Sequence, residues 1–324
     1  MRICILGAGA LGSAIGGTLA EAGHAVTLVN RNRPHVEAIR ERGLVLRSDG
    51  RDRAIGLEAA TDTTGLTPSE LVLILVKSLD TEAAAFAARP LIGPETVVMS
   101  LQNGLGQEEV LSSILGAQHV LGGRTYAGGV LLAPGHVLSG IEGKETIIGE
   151  FDGAVTPRVT ELARILTAAG LETRASAQIR TVIWDKLLVN VSTGALAALT
   201  GLTYGELYRL PEIEETAIAA VAEAMAVAEA LGIPLTTTDP RAPWRKASAG
   251  LPPDFKTSML QSLENGRPTE IDFINGAVVR EGRRAGVDTP VNAALVALIR
   301  GLETKLPAGL AAGGVAMPPR ARIA

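Results

Sequence analysis

A single cysteine, Cys4, rules out an intrachain disulfide framework and makes a reducing cytoplasm the expected compartment. It lies in an apolar run and reads as a small buried side chain. Histidine is scarce too. His24, His35, His119 and His136 are scattered without ligand spacing, so no transition-metal site is expected and each reads as a surface or loop residue. No charge of one sign dominates, since 30 Lys and Arg stand against 34 Asp and Glu and the basic residues are dispersed. That excludes the electrostatic footprint of a protein that binds nucleic acid or an anionic membrane. Mean hydropathy is high at +0.26. Even so, no apolar run approaches the ~18 residues of a spanning helix. Glu223 and Glu229 interrupt the richest stretch and Asn190 the next, so a soluble protein is expected.

What is present begins at the first residue. Ile3-Cys4-Ile5-Leu6 runs as an apolar strand into Gly7-Ala8-Gly9-Ala10-Leu11-Gly12, and an Ala/Gly-rich helix follows through Ala22. Strand, glycine-spaced turn and helix together open a dinucleotide-binding fold. Gly7 permits the tight turn, Gly9 lets backbone amides approach a pyrophosphate, and Gly12 lets the helix pack closely on the sheet. The phosphates then sit at the positive end of the helix dipole. Arg2 followed by small apolar residues superficially fits a secretory leader, but a leader needs no such glycine pattern. After the second strand, Ala25–Val29, the chain reads Asn30-Arg31-Asn32-Arg33 and has no carboxylate before Glu37. A guanidinium there accommodates a 2′-phosphate, with Asn30 or Asn32 as further donors, so NADPH is predicted over NADH.

At 324 residues two domains are expected. Apolar runs at Ile3–Leu6, Ala25–Val29, Leu71–Val76 and Thr96–Ser100 alternate with helical segments at Gly12–Ala22, Pro34–Arg42, Thr81–Ala88 and Gly104–Leu115. This is the pattern of a doubly wound parallel sheet of the Rossmann type, in an α/β protein. Extended segments at Gly122–Leu132, His136–Ser139 and Thr146–Gly149 read as an antiparallel extension of that sheet. Helix Val155–Ala169 and strand Glu172–Ala175 complete a nucleotide-binding domain, 1–178. Residues 179–305 read as an all-α second domain, with helices at Arg180–Leu199, Glu212–Leu231, Lys256–Gly266, Ile271–Ala285 and Pro290–Lys305. Pro234–Pro253 reads as a long connection, and 306–324 as a frayed Pro/Gly/Ala tail.

Hydride delivery to a carbonyl carbon makes an alkoxide, so a proton donor is needed at that oxygen. No Ser-His-Asp or Cys-His arrangement is visible, which leaves lysine and glutamate. Lys186 lies in an otherwise apolar helical run, Ile183-Trp184-Asp185-Lys186-Leu187-Leu188-Val189-Asn190, and shares a face with Asn190. Two polar groups on an apolar helix are costly unless they meet partners or a ligand. Pairing of Lys186 with Asp185 or with solvent satisfies the segment equally well. Further on, Pro268-Thr269-Glu270-Ile271-Asp272 starts a helix whose dipole favours both carboxylates, and spacing alone does not separate Glu270 from Asp272.

Taken together these segments resemble the ketopantoate reductase (2-dehydropantoate 2-reductase) family over about residues 1–303. The motifs are Gly7-Ala8-Gly9-Ala10-Leu11-Gly12, Val76-Lys77, Leu101-Gln102-Asn103-Gly104, Trp184-Asp185-Lys186-Leu187 with Asn190, Ser258-Met259-Leu260-Gln261, and Thr269-Glu270-Ile271-Asp272-Phe273-Ile274-Asn275-Gly276. The resemblance implies NADPH-dependent reduction of a 2-oxo acid to a 2-hydroxy acid, 2-dehydropantoate to pantoate in pantothenate and coenzyme A biosynthesis. It implies an active site in a cleft between a Rossmann and a helical domain. Lys186 would then be the general acid, and Glu270 would bind the substrate hydroxyl region and help position the lysine. Asn103 would lie beside the nicotinamide and hold the ammonium, and Asn190 and Ser258 would bind substrate. Arg31 and Lys77 would join the glycine turn, Gly7 to Gly12 with Ala10 and Leu11, in holding the cofactor.

The chain departs from the family at two substrate positions. Gly194 stands where the family often has a second asparagine, with Thr193 the nearest hydroxyl, and Phe255 replaces an asparagine three residues before the motif serine. A more apolar or reshaped pocket follows, which leaves open a paralogue acting on another branched or bulky 2-oxo acid. A non-catalytic dinucleotide sensor is the contrasting class, and it need not keep Lys186, Asn103 and Glu270. The alanine-rich helix Glu212–Leu231 offers either a core or a self-association face, so a homodimer is one expectation.

Overall fold

The computed structural model describes residues 1–307, and the expected tail lies outside them from residue 308 onward. The chain divides into two compact units, Met1–Lys186 and Leu187–Ala324, the second described as far as Pro307. In chain order the first unit contains β1 (Arg2–Leu6), α1 (Ala10–Glu21), β2 (Ala25–Val29), α2 (Arg33–Arg42), β3 (Leu44–Ser48), β4 (Arg51–Ile55), β5 (Glu58–Ala60) and β6 (Leu71–Ile74). There follow α3 (Thr81–Ala88), β7 (Val97–Ser100), α4 (Gln107–Leu115), β8 (Val120–Thr125), β9 (Gly128–Ala133), β10 (His136–Gly140), β11 (Thr146–Gly149), α5 (Pro157–Ala168) and β12 (Thr173–Ala175).

Strands β6 and β7 are buried along their whole length, which is why they read as apolar runs rather than alternating ones, and β8 is equally buried although it carries Arg124. They lie in an eight-stranded sheet ordered β12-β11-β8-β7-β6-β1-β2-β5. Every neighbouring pair is parallel except β8 with β11. In register, Cys4 of β1 faces Val26's neighbour Thr27 on one side and Val72 on the other. Burial pushes the Cys4 thiol up to about 12, so it behaves as an inert apolar side chain.

The expected extension of the sheet is only half of what forms. The segment Gly122–Leu132 divides: β8 and β11 complete the main sheet, whereas β9 and β10 join β3 and β4 in a separate four-stranded sheet ordered β4-β3-β10-β9. Strands β3 and β4, absent from the sequence reading, form a hairpin around Asp49 and Gly50, at φ of 49° and 71°. Two successive positive φ values match the twist that short hairpins need. A second correction concerns His35, expected at the surface but 1% exposed on α2. The Gly135 amide donates to its Nδ1, so its Nε2 carries the proton and donates to Ser13 Oγ. Ser13 Oγ in turn donates to the Ala8 carbonyl. Burial holds the imidazole below its ordinary value and therefore neutral.

Helix α6 (Ile179–Thr200) is continuous across the division between the units. It is long and apolar enough to cross a membrane by length and composition, although its apolar richest window is 67% buried within the protein. A core helix is apolar all round for the same reason. The second unit continues with α7 (Tyr204–Leu207), α8 (Pro211–Ala230), α9 (Ala242–Ser248), α10 (Ser258–Glu264), α11 (Asn275–Ala285) and α12 (Pro290–Glu303). Small residues on α8, Ala217, Ala220 and Ala224, are fully buried where α11 and α12 pack against it. The connection expected at Pro234–Pro253 contains α9, whose Trp244 is 2% exposed and anchors it. The helix expected at Ile271–Ala285 starts later. Ile271–Phe273 form a 3₁₀ turn, Ile274 leaves helical geometry at φ −109° and ψ −92°, and α11 begins at Asn275.

Candidate active site

The first unit supplies the glycine turn. Gly7 has φ +93°, and a Cβ there would lie 2.3 Å from the Val76 nitrogen, so the turn admits no side chain. A Cβ on Gly12 would stand 2.7 Å from the Gly7 carbonyl oxygen, which is the close packing of helix on strand. Gly9 differs from both: its Cβ would meet nothing within 4 Å. The protein's own packing does not require glycine there, and the open space before α1 suits a group brought in from outside. No side chain caps α1, and a helix leaves its first amides, here Ala10, Leu11 and Gly12, without internal acceptors. Open space plus donors at a helix N-terminus fits a phosphate.

The segment after β2 is arranged around that turn. Asn30 Nδ2 donates to the Ala8 carbonyl at 2.6 Å, and its Oδ1 accepts the Asn32 amide at 2.9 Å. Asn32 caps α2 by accepting from the His35 amide. The Asn30 side chain therefore secures the turn, and that of Asn32 the start of α2. Arg31 meets Asp80 at 2.7 Å, with the two side chains 56% and 36% exposed. Asp80 occupies the N-cap position of α3 yet makes no cap hydrogen bond, and turns to Arg31 instead. A carboxylate from a distant segment thus reaches the strand end, where the sequence offered only arginines. Lys77 is exposed at the end of β6.

Asn103 lies half-buried in the loop between β7 and α4. Its carbonyl accepts from Gln107 Nε2 at 2.7 Å and from Ser78 Oγ at 3.4 Å. Beneath the loop Arg124 is buried in β8 and paired with Glu108 at 2.6 Å, the two being 1% and 4% exposed. Arg124 also donates to the carbonyls of Gly104 at 2.7 Å and Gly123 at 2.5 Å. Breaking such a pair by removing one partner costs about 3–5 kcal/mol, because a bare charge stays buried. Thr125, the next residue, offers its carbonyl to the Nζ of Lys186, which also stands 5.3 Å from the centre of the Tyr126 ring. Sequence reasoning missed Arg124, Glu108, Thr125 and Tyr126. The available signal was a lone arginine, Arg124, in the otherwise uncharged run Val120–Thr125.

In the second unit Asn190 lies one turn beyond Lys186 on α6, and its Nδ2 is buried with no hydrogen-bond partner. Thr193, expected to bind substrate, is 2% exposed and hydrogen-bonds the Tyr204 hydroxyl at 3.2 Å. Its hydroxyl is thereby engaged inside the helical unit. The Tyr204 ring lies 5.0 Å from Phe255 and 5.5 Å from Tyr208, which stacks on Trp244 at 4.1 Å. Desolvation raises the pKa of both tyrosines, so they remain neutral donors. A Cβ on Gly194 would come 3.4 Å from Met259. Ser258 is exposed at the start of α10, and Thr257 caps that helix. Glu270 is 8% exposed, whereas Asp272 is bound to Arg300 at 2.7 Å. Asp272 is thereby tied to α12.

Residues 3–153 match the family model described as ketopantoate reductase PanE/ApbA, and residues 178–303 match its C-terminal counterpart. The chain is 36% identical to the 2-dehydropantoate 2-reductase of Halobacterium salinarum over 93% of its length and 98% of that protein's. It is also 36% identical to the enzyme of that name from Archaeoglobus fulgidus, covering 94% and 99%. Among solved structures, a PanE/ApbA family ketopantoate reductase from Ralstonia eutropha superposes with TM-score 0.86 at 37% identity, over 94% of this chain and 99% of that one. D-mandelate dehydrogenase in ternary complex with NADH and anilino(oxo)acetate superposes with TM-score 0.88 at 27% identity, covering 94% and 99%. Fold, motif order and near full-length likeness agree: this chain is an oxidoreductase that belongs to the ketopantoate reductase PanE/ApbA family.

Proposed function

We propose that the chain reduces 2-dehydropantoate to pantoate with NADPH, Lys186 serving as the proton donor. The observation that carries this reading is the ammonium of Lys186, fixed on the Thr125 carbonyl beside the Tyr126 ring in the same unit as the glycine turn. Bound NADPH supplies the hydride that reaches the carbonyl carbon. Lys186 passes a proton from Nζ to the carbonyl oxygen as negative charge develops there, and its positive charge lowers the barrier in a site drier than water. Asn103 holds the ammonium and the nicotinamide edge. Glu270 accepts from the substrate hydroxyl, and Asn190 and Ser258 bind its remaining polar groups. On the cofactor, the amides of Ala10, Leu11 and Gly12 hold the pyrophosphate, Arg31 the 2′-phosphate and Lys77 a further phosphate oxygen. The reading places the enzyme in a reducing cytoplasm, in keeping with the buried Cys4. It also makes the enzyme a homodimer through the outward face of α8, where Ala222, Met225 and Ala226 line a groove of about 650 Å³.

One observation favours a second substrate. Phe255 packs on Tyr204 where the family resemblance expects an amide, and apolar Met259 covers Gly194, 3.4 Å from where a Cβ there would stand. A bulky or aryl 2-oxo acid suits such a wall better than a small polar one. The deciding experiment follows NADPH and NADH absorbance with 2-dehydropantoate, a branched 2-oxo acid and phenylglyoxylate. Fastest oxidation of NADPH by 2-dehydropantoate is expected. Preference for phenylglyoxylate would transfer the assignment to the second substrate, and no oxidation with any acid would end the enzymatic reading.

A further inference from the structure

An arginine in the centre of a sheet is expensive to bury, and Arg124 is surrounded on every side by structure that uses it. Its strand β8 is buried throughout, between β7 on one side and β11 on the other. Besides the carbonyl of its neighbour Gly123, the guanidinium grips the Glu108 carboxylate in the first turn of α4 and the carbonyl of Gly104, the residue after Asn103. Glu108 is well placed in its own right, since a carboxylate in a first turn is favoured by the helix dipole. The planar fork of arginine allows both contacts together, which a lysine ammonium does not reproduce. One residue further along β8, the Thr125 carbonyl takes the hydrogen bond from Lys186 Nζ. The pair therefore joins the loop bearing Asn103 to the strand end that holds the ammonium. Both groups are tied to a single rigid clamp.

We propose that Arg124 and Glu108 are positioning residues for the reduction: their buried pair sets the distance between Asn103 and Lys186. The proposal rests on the catalytic reading of Lys186 given above. Neither residue touches the reacting atoms. Each acts through another residue, Arg124 through the backbone of Gly104 and Thr125, Glu108 through the Arg124 guanidinium. A reaction that needs two groups fixed to within a fraction of an ångström is sensitive to such a clamp, and a misplacement of about 1 Å costs about a hundredfold in rate.

The test replaces the pair by apolar residues of similar volume, Arg124→Met with Glu108→Met, because a doubly apolar replacement leaves no charge buried alone. Thermal unfolding and NADPH dissociation are measured beside kcat, in the natural background and in Lys186→Ala. The expected result is a folded protein that binds NADPH within about twofold of the parent while kcat falls about 10- to 100-fold. In the Lys186→Ala background the same double replacement should lower the residual rate less than threefold, since the clamp then has no ammonium to position. Unchanged kcat, or an equal loss in both backgrounds, overturns the proposal. Should Lys186→Ala alone leave turnover intact, the catalytic reading itself falls, which is a distinct outcome. If the double variant does not fold, Arg124→Lys serves in its place. It keeps the charge and loses the fork, so reduced kcat with unchanged NADPH affinity is expected and a natural kcat overturns the proposal.

Discussion

The glycine turn and the aromatic wall of the helical unit are specified in opposite ways. At the turn, backbone sterics decide nearly everything: Gly7 has φ +93° and no room for a Cβ, and Asn30 and Ser13 converge on the Ala8 carbonyl to hold it, with His35 behind Ser13. At the wall, ring packing among Phe255, Tyr204, Tyr208 and Trp244 decides, and it joins residues up to 51 positions apart in the chain. The first arrangement would serve any dinucleotide enzyme. The second includes Phe255, where the family resemblance expects an amide, so on the proposed reading selectivity belongs to the wall and cofactor grip to the turn.

Five experiments break or sharpen that contrast. The largest effect is expected from Lys186→Ala, which should lower kcat by about 10²- to 10⁴-fold while NADPH affinity by fluorescence titration stays near the parent value. Next come two glycines treated alike. Gly7→Ala forces a strained φ and a clash, costing about 1–3 kcal/mol for the backbone alone, and should appear as a lowered Tm. At Gly9→Ala the new Cβ meets no protein atom within 4 Å, so Tm should hold while NADPH binding weakens at least tenfold, about 1.4 kcal/mol. An equal Tm loss in both variants would erase the distinction. On the other side of the comparison, Phe255→Asn should shift the ratio of kcat/KM for 2-dehydropantoate over phenylglyoxylate about tenfold toward the former, the discrimination expected of one pocket contact.

Smaller changes probe the edges of the turn. The exposed Arg31–Asp80 pair is worth about 0.2–1 kcal/mol, so Asp80→Asn should lower KM for NADPH about two- to fivefold and leave KM for NADH alone. The response to acid is the subtlest. Burial holds the folded pKa of His35 below its unfolded value of 6.5, so its stabilising contribution is complete above pH 6.5. As pH falls below that value the unfolded chain binds the proton first, and stability declines until the folded pKa is passed. Denaturation at pH 7 and pH 5 should therefore show a shallower loss for His35→Gln than for the parent. An identical slope would remove His35 from the account.

What the sequence disclosed follows the same division. The buried parallel strands and the glycine turn were legible because they depend on residues adjacent in the chain. The β3–β4 hairpin carried a signal, Asp49-Gly50 between two extended runs, that went unread because Arg51-Asp52-Arg53 looks like solvated loop. His35 was misplaced because its partners, Ser13 and Gly135, lie 22 and 100 residues away. Arg124 was passed over in the same way, as its partners Glu108 and Gly104 lie 16 and 20 residues away. Lys186 and Glu270 were singled out by motif order, since composition alone left each with an ordinary explanation. Thr193 has a contact that motif order could not disclose, its hydroxyl meeting Tyr204 from 11 residues away.

The boundary between the two compact units falls within an unbroken helix, α6, with Lys186 as the last residue of one unit and Asn190 one turn into the other. A protease needs an extended, accessible stretch to cut, and a helix buried over most of its length provides none. Limited digestion should therefore nick the chain elsewhere before it separates the halves. For the same reason, expressing either half from a gene cut at that boundary would truncate a helix in mid-course.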